Sequence, residues 1–464
     1  MANNSVNSDE HRYSITNNIS YLYQVYCSYL ILFKNEDECA SFLSSKLLKQ
    51  GLNILARKYY QPISGWFDIC GDEIDVVYYN SKFNDPPFST QVLDMNYNTL
   101  AQHVDASNIE LLAPKSPSPL ITPDNSDIPM LLVKASYLNS NEGMVIGVSY
   151  HHSLMDGSAF WYFMNNWAHI CKLLHVHGPH YSDFSIPYPV SFEFPSIGKL
   201  HDPTCSFEHT EYELVDASDC IRQFAPGLET TKEIRLHISV EQQQEIRQSA
   251  RANDVSFTAM LCAMFWKETN RLRIKAKPAI ASEMSLYTCA VNPRPQLGLL
   301  SNLCASPVMN MAAKKVVGEI AQLELSEVAQ IVHNTIRRCN AEYTYSSTNF
   351  LLAQRKKELE AKRNGQNGKE AMLVYILPMA LKCTVSSSRT FPIYQLDFGF
   401  GKPEYVRPPF LPYDGCMRIW PTPESFSSAE CKLVNEAPIE IYITQPDYVD
   451  LSESPLLRPF FVRT

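Results

Sequence analysis

The sequence has no long hydrophobic run and no excess of positive charge. Its densest apolar runs, Met144–Val148 and Ala259–Trp266, are far shorter than the ~18 residues of a membrane span. Residues 1–10 are polar and acidic, unlike a secretory signal. With 40 Lys and Arg against 49 Asp and Glu, the net charge is −9, so the basic field that nucleic acid or anionic membrane would need is missing. We therefore expect a cytoplasmic protein with neither kind of partner.

Several chemical signatures are also missing. The thirteen cysteines form no C-x-x-C pair, which excludes a zinc ribbon and a regular disulfide scaffold and predicts reduced, mostly buried thiols. There is no G-x-S-x-G elbow of a serine hydrolase and no G-x-G-x-x-G phosphate loop. Five residues with metal-binding side chains crowd one predicted helix end: His169, Cys171, His175, His177 and His180. Their spacing favours cations at a helix C-terminus over a metal site, so we predict no metal.

Strand and helix patterns alternate along the chain, which predicts a mixed α/β fold. Lys232–Ile238 alternates as a strand, Ser239 and Gln242 form a capping box, and Val255–Arg273 carries a helical apolar stripe. A stretch rich in Ser, Pro, Asp and Asn, Ala106–Pro129, is predicted to be a surface loop.

A proline-rich segment provides the predicted domain boundary. Prolines are concentrated between residues 178 and 204, which predicts an extended connection. We therefore divide the chain into an N-terminal domain (1–190), a crossover linker (191–225) and a C-terminal domain (226–464).

The strongest sign of a chemical site is a turn between a strand and a helix. Met144–Tyr150 predicts a buried strand, and Gly157–Leu174 has apolar residues at three- and four-residue spacing, as one face of a helix does. The turn between them contains His152 and Asp156. A histidine in such a turn titrates near neutrality and can act as a general base on a rigid scaffold. Gly157 is expected to let the backbone turn tightly into the helix.

Three other interpretations of this turn stay open. His151 and His152 can be buried structural histidines. His152 and Asp156, spaced four apart, can share a helix face and bind a metal, but zinc needs three or four ligands and no third is nearby. Asp156 can cap the helix by accepting from first-turn amides, and this interpretation does not exclude a catalytic histidine.

The chain resembles the BAHD family of acyl-CoA-dependent acyltransferases. His152–Gly157 reads HSLMDG and matches that family's HxxxDG signature. The second signature, DFGWGKP, resembles Asp397–Pro403, which reads DFGFGKP and begins 245 positions after His152. The two signatures in this order are more specific than either alone. Three further stretches resemble family segments: Tyr60–Gly65, Val255–Trp266 and Ala290–Asn302.

The resemblance implies a fold and a reaction. It implies a monomer of two domains, each like chloramphenicol acetyltransferase, with a solvent channel between them. Acyl-CoA would enter as a co-substrate from one side and the acceptor from the other, with no tightly bound cofactor and no metal. His152 would take the proton of an acceptor hydroxyl or amine as it attacks the thioester carbonyl, and would then protonate the CoA sulfur. No acyl-enzyme is needed.

The resemblance gives the other motif residues supporting roles. Asp156, although part of the catalytic motif, would point away from the channel and pair with Arg294, which fixes the turn. Asp397 would anchor a loop, and Gly399 and Gly401 would permit tight turns. The residues that meet the CoA phosphates stay open among the cations of the chain, with Arg251, Lys267 and Lys382 as unranked candidates.

The sequence departs from the family pattern at several positions. Phe400 replaces a tryptophan, and Asn292-Pro293 replaces Asp-Gly just before Arg294. Ser386–Ser388 replaces Thr-Ser-Trp, which lines the channel where the oxyanion forms. Ser386 can still donate a hydrogen bond to the oxyanion, or it can belong to a solvated serine-rich loop, and both interpretations stay open. These departures favour a distant branch, fungal or protist rather than plant.

The resemblance therefore predicts an acyltransferase that transfers groups other than aminoacyl. Hydroxycinnamoyl and acetyl donors both fit, with a small-molecule alcohol or amine as acceptor, in secondary metabolism. One alternative is a condensation-type enzyme that takes carrier-protein thioesters. The other is a binding protein of the same fold without turnover, which the intact His152 disfavours and Ser388 in the tryptophan position favours.

Overall fold

We obtained a computed structural model of the chain. It describes residues 9–15, 24–70, 73–102, 104, 106–119, 121, 124–193, 206–209, 212–216, 231–363, 371–375, 381–410, 414–425 and 437–461. Most of the predicted linker, residues 191–225, lies outside the described residues. Among the described helices, none has the length and the apolar composition that crossing a membrane requires.

The first half of the chain surrounds one long central strand and one long helix. Its strands are β1 (Glu10–Ser14), β2 (Tyr26–Lys34), β3 (Trp66–Cys70), β4 (Glu73–Tyr79), β5 (Phe88–Leu93), β6 (Leu131–Leu138) and β7 (Gly143–His151). Its helices are α1 (Ser45–Tyr59), α2 (Tyr97–Gln102), α3 (Ala106–Leu112) and α4 (Gly157–His177). Every residue of β7 is buried, as the apolar run predicts.

The second half repeats the alternation of strands and helices. Its strands are β8 (Tyr212–Asp216), β9 (Thr231–Ile238), β10 (Met284–Val291), β11 (Met309–Val316), β12 (Ala371–Tyr375), β13 (Leu381–Ser387), β14 (Tyr405–Arg407), β15 (Cys416–Pro421) and β16 (Ile439–Pro446). Its helices are α5 (Val240–Ala252), α6 (Phe257–Ala276), α7 (Val317–Gln322), α8 (Leu325–Arg337) and α9 (Ala341–Arg363). The capping box predicted at Ser239 and Gln242 begins α5.

Two large mixed sheets organise the fold. The first has the order β14-β2-β7-β6-β5 and the second has the order β11-β10-β13-β15-β16-β9. Parallel pairs (β5 with β6, β10 with β13, β13 with β15) occur beside antiparallel ones, so the predicted mixed α/β class is confirmed. Strand β14 comes from the second half of the chain but pairs with β2 of the first, with Tyr405 opposite Leu32. This exchange ties the two halves together.

The prediction of a surface loop over Ala106–Pro129 is wrong at its start. Residues 106–112 form α3, because Leu112 is buried and packs with Leu30 and Val145 on the first sheet while Ile109 packs beside it. The polar composition of the surrounding segment hides these two apolar positions, which are three apart as on one helix face. Within the predicted linker, residues 212–216 form β8, which pairs with β12.

The second sheet has one apolar face and one polar face, and this difference positions the site. On the apolar face Tyr287 lies against Trp266 of α6, with ring centroids 5.6 Å apart, and Cys383 and Met417 share that face by the strand register. Residues one position away point to the opposite face, because side chains alternate along a strand. That face contains Ser386, Arg418 and Trp420, and the ring of Trp420 stacks 6.1 Å from that of Tyr29 on β2 of the first half.

Candidate active site

The histidine of the predicted motif stands at the end of β7, where the chain leaves the sheet. The main-chain N–H of His152 donates to the carbonyl of Val25 at 2.8 Å, which fixes the start of the turn. The His152 side chain is half-buried, and its Nδ1 lies 3.0 Å from Oγ of Ser306 in the second half of the chain. The imidazole therefore lies where the two halves meet.

The surroundings of His152 favour its neutral form. Burial lowers the pKa of His152 below its ordinary value, and the charge of Asp156 and a hydrogen bond to the residue's own main-chain carbonyl partly oppose this shift. A neutral imidazole at pH 7 has a lone pair that can accept a proton. This is the protonation state that a general base requires.

Asp156 uses both carboxylate oxygens on partners other than His152, and one of these partners is Arg294. Its Oδ1 accepts from the main-chain N–H of Ala159 at 3.0 Å, which caps α4, and its Oδ2 accepts from Nη1 of Arg294 at 2.5 Å. Both side chains are buried. The helix-cap interpretation and the ion-pair interpretation of Asp156 therefore hold together, with one carboxylate oxygen used for each.

Arg294 also holds a segment of the second half against the turn. Its Nη2 donates to the carbonyls of Leu303 and Ala305 at 3.0 and 3.1 Å. The main-chain N–H of Asp156 donates to the same Ala305 carbonyl at 3.0 Å. The next residue, Ser306, is the one beside His152. The ion pair thus places Ser306, and through it the imidazole, although the pair itself does not touch the imidazole.

Sequence reasoning missed Ser306. It is fully buried, and no motif marks it, since it stands in an ordinary apolar stretch, Leu303-Cys-Ala-Ser-Pro. Its proximity to His152 follows from the contact between the two halves, 154 positions apart in sequence. The only signal in the sequence was its position shortly after Arg294.

The departure at Asn292-Pro293 leaves the Arg294 geometry intact. Oδ1 of Asn292 accepts from the main-chain N–H of Arg294 at 3.1 Å and from its Nη1 at 3.2 Å. The amide oxygen can thus accept the hydrogen bonds that a carboxylate oxygen at this position would accept. The substitution therefore supports the arginine.

His151 is a structural histidine, in line with one of the open interpretations. It is fully buried, its Nδ1 lies 2.6 Å from Oγ of Ser153, and its Nε2 lies 2.8 Å from the carbonyl of Pro119. Burial lowers the pKa of His151 to about 4. Among the residues that the structure describes, no cluster of His, Cys, Asp and Glu could hold a metal ion.

Gly157 is needed for a different reason from the one predicted. It is the first residue of α4, and its φ is not in the left-handed region, so the turn is present but does not draw on the conformational freedom of glycine. A Cβ at this position would instead lie 2.8 Å from Cε2 of Phe391. The glycine therefore permits close packing between α4 and the segment after β13.

The DFGFG segment lies far along α4 from the turn. Asp397 pairs with Lys172, and its Oδ1 accepts from the N–H of Gly399 at 2.8 Å. Gly399 and Gly401 have φ of +101° and +94°, so the predicted need for glycine at these turns is confirmed. Lys172 follows Gly157 by four helical turns, which is about 22 Å along the helix. The segment leads directly into β14, which joins the first sheet.

Two other predicted positions are placed by the structure. Ser386 lies within β13 with an exposed side chain, so the interpretation as part of a loop is wrong. Among the candidate phosphate ligands, Lys267 donates from Nζ to the carbonyls of Ala321 and Leu323 at 2.8 and 2.6 Å, so its ammonium is already engaged.

Comparisons with known proteins show the family of the chain. The sequence pattern of the Transferase family matches residues 4–433. The chain is 23% identical over 334 residues to putrescine hydroxycinnamoyltransferase 3 of Oryza sativa subsp. japonica, covering 69% of this chain and 71% of the relative. It is 22% identical to a hydroxycinnamoyltransferase of Narcissus pseudonarcissus, covering 85% and 86%.

A solved structure shares the fold. The structure of F. sporotrichioides TRI101 complexed with coenzyme A and T-2 has a TM-score of 0.65 and 17% sequence identity, and covers 95% of this chain and 96% of that one. The predicted fold of two chloramphenicol-acetyltransferase-like domains is confirmed.

The match over nearly the whole chain decides the class. The chain belongs to the Transferase family, and it is an acyltransferase of the BAHD type that uses acyl-CoA as donor and a small molecule as acceptor.

Proposed function

We propose that His152 is the general base of this acyltransferase and that the transferred group is of the hydroxycinnamoyl or acetyl type. The observation that carries the proposal is a half-buried imidazole at the end of a fully buried strand, held at Nδ1 by Ser306, with the motif aspartate turned onto Arg294. This arrangement keeps Asp156 away from the reaction and leaves the imidazole as the proton acceptor of the turn.

The reaction follows from this geometry. The neutral imidazole removes the proton of an acceptor hydroxyl or amine as the oxygen or nitrogen attacks the thioester carbonyl. The carbonyl oxygen gains negative charge, and Ser386 is the proposed hydrogen-bond donor to it. When the intermediate collapses, the C–S bond breaks and the imidazolium returns its proton to the CoA sulfur. Such acid–base catalysis contributes about 10²- to 10⁴-fold, and the orientation of two bound substrates adds further acceleration.

The names of the relatives support the choice of donor. Both curated relatives described above are hydroxycinnamoyltransferases, one of them named for putrescine, an amine. We therefore place hydroxycinnamoyl-CoA first among the donors, acetyl-CoA second, and keep both alcohols and amines as acceptors. The assignment to secondary metabolism rests on the same names.

The domain division, the oligomeric state, the location and the cofactors of the protein are part of the proposal. We propose domains 1–190 and 226–464 joined by the linker 191–225, with β14 of the second domain pairing with β2 at the edge of the first large sheet. We also propose a cytoplasmic monomer, with acyl-CoA as a co-substrate and no tightly bound cofactor or metal. The net charge of −9 supports the absence of nucleic acid and membrane among the partners.

Thiol release tests the proposal. Purified protein is mixed with acetyl-, malonyl-, benzoyl- or p-coumaroyl-CoA and a pool of alcohols and amines, beside His152→Ala and a control, His169→Ala, which alters a half-buried histidine of α4 outside the turn. We expect acceptor-dependent release that persists in His169→Ala and vanishes in His152→Ala. Release in a folded His152→Ala variant would refute the assignment. If no donor reacts, the protein is tested as a condensation-type enzyme with acyl groups on a phosphopantetheinylated carrier protein. If this donor does not react either, the remaining interpretation is a binding protein of the same fold.

A further inference from the structure

Two arginines meet over one aromatic ring at the start of α6. The guanidinium carbon of Arg247, on α5, lies 4.8 Å from the ring centroid of Phe257, which is the first residue of α6. The guanidinium carbon of Arg389, which follows β13, lies 5.5 Å from the same centroid. All three residues are half-buried, so this cluster lies at the surface of the protein.

The charge of Arg389 is not matched by an acidic group. Among the described residues, its guanidinium contacts the ring of Phe257 and has neither a hydrogen bond nor a carboxylate at ion-pair distance. Burial and the charge of Arg247 lower the pKa of Arg389 below its ordinary value. Asp254, the acidic residue closest to Phe257 in sequence, is exposed, and its charge does not oppose this shift. Because arginine stays charged at neutral pH, two like charges lie side by side here.

The surroundings of the two arginines add positive charge. Helix α6 has 20 residues, and its positive dipole end lies at Phe257 with no acidic residue in the first turn. Arg251 is exposed and follows Arg247 by one turn of α5, so the two share a helix face. Arg247 donates from Nη2 to Oε1 of Gln243 at 3.4 Å, which is a neutral group. Cations grouped in this way attract an anion, and planar guanidinium groups match the oxygens of a phosphate.

The segment that contains Arg389 lies beside the proposed site. Arg389 follows Ser386, the proposed donor to the oxyanion, by three residues, so their Cα atoms are at most about 11 Å apart. Two residues after Arg389, Phe391 packs against the start of α4, where a Cβ on Gly157 would lie 2.8 Å from its ring. The segment thus runs from the proposed oxyanion position to the helix that begins after His152.

We infer that Arg389, together with Arg247, binds a phosphate of coenzyme A and so holds the acyl donor at the proposed site. The inference rests on the proposed function, since it gives the donor of that reaction a second point of attachment. Coenzyme A has a diphosphate and a 3′-phosphate, and the long pantetheine arm separates them from its sulfur. One molecule can therefore place a phosphate at this surface cluster and a thioester beside His152. The bound phosphate offsets the repulsion between the two guanidinium groups.

Calorimetric titration with coenzyme A tests the inference, because it needs neither turnover nor a choice of acyl group. We expect Arg389→Gln to weaken the binding of coenzyme A about 10- to 100-fold, as the loss of charged hydrogen bonds does. Arg389→Lys keeps the charge without the planar fork and should weaken binding less. The matched control is Lys275→Gln, which removes an exposed positive charge about 27 Å along α6 from Phe257 and should bind like the wild type.

A titration with 3′-dephospho-coenzyme A identifies which phosphate is bound. If Arg389→Gln weakens the binding of this compound as well, the arginines hold the diphosphate. If Arg389→Gln weakens the binding of coenzyme A alone, they hold the 3′-phosphate. Binding of coenzyme A by Arg389→Gln as tight as by the wild type would overturn the inference. An equal loss in Lys275→Gln, or no measurable binding by the folded wild type, would overturn it too.

Thermal unfolding separates this role from a structural one. Arg389→Gln loses the contact with Phe257 but relieves the repulsion from Arg247, so the ligand-free variant should unfold close to the wild-type temperature. Coenzyme A should raise the unfolding temperature of the wild type more than that of the variant, because a ligand stabilises the state that binds it. A much lower unfolding temperature with an equal rise on adding coenzyme A would show that Arg389 only packs on Phe257. The thiol-release assay judges the proposed base separately, since the binding of coenzyme A requires no proton acceptor.

Discussion

The ion pair between Asp156 and Arg294 offers the sharpest prediction about stability. Asp156→Asn keeps the size of the side chain and the helix cap at Ala159, since asparagine also caps helices well, but it removes the charge opposite Arg294. Removing one partner of a buried pair costs about 3–5 kcal/mol because the other charge stays buried. We therefore expect the free energy of unfolding in urea to fall by about this amount. Asp156→Ala also loses the cap and should lose about 1 kcal/mol more.

A matched variant and a double variant make the test specific. Asp397→Asn alters an ion pair that is much more exposed, since the side chains of Asp397 and Lys172 are 29% and 48% exposed. It should lower the free energy of unfolding by about 1 kcal/mol or less. In the double variant Asp156→Asn with Arg294→Met, the loss should be smaller than the sum of the two single losses, because no unpaired charge remains. A loss this small is expected only for exposed ion pairs. If the free energy of unfolding of Asp156→Asn lies within about 1 kcal/mol of the wild-type value and its acyl transfer is normal, the structural role of the pair is refuted.

Three further predictions concern residues around the turn. The Ser306 hydroxyl positions His152, so Ser306→Ala should lower kcat and alter the acid limb of the pH profile of kcat. Ser306→Thr keeps the hydroxyl and should keep the wild-type kcat and pH profile. An unchanged pH profile in Ser306→Ala would contradict this role. The pKa of His151 is about 4 in the folded protein, below its ordinary value, so the unfolded state binds the proton first as the pH falls. The free energy of unfolding should therefore decrease by about 3 kcal/mol as the pH drops from 6.5 toward 4. Urea unfolding should show this decrease in the wild type and not in His151→Gln. Gly157→Ala should cost about 1–3 kcal/mol by its contact with Phe391, and Phe391→Leu should recover part of the loss; an additive double variant would contradict this cause.

The elements around the site could be predicted because their patterns are local. The buried run of β7, the apolar stripe of α4 and the capping box of α5 each depend on residues a few positions apart, and the structure has all three. Helix α3 shows the limit of this reasoning. Two apolar positions in a polar stretch are too few to indicate a helix, and α3 forms because the first sheet offers them a place to pack.

The site itself depended on contacts between the halves. The approach of Arg294 to Asp156 could be expected only through the family resemblance, and the approach of Ser306 to His152 could not be expected at all. The same holds for Gly157, whose neighbour Phe391 is more than 200 positions away. No periodicity or spacing records such contacts, since they join residues of the two halves that are more than 130 positions apart in the sequence.

A single-turnover measurement tests most directly whether His152 is the base. Enzyme in excess over p-coumaroyl-CoA or acetyl-CoA is mixed with an acceptor found in the thiol-release assay, and product is measured before any second turnover. The account predicts one equivalent of acylated acceptor from the wild type and at least about 10²-fold slower transfer from a folded His152→Ala variant, in line with the loss of a general base. Transfer by that variant within about 10-fold of the wild type would contradict the assignment of His152 as the base.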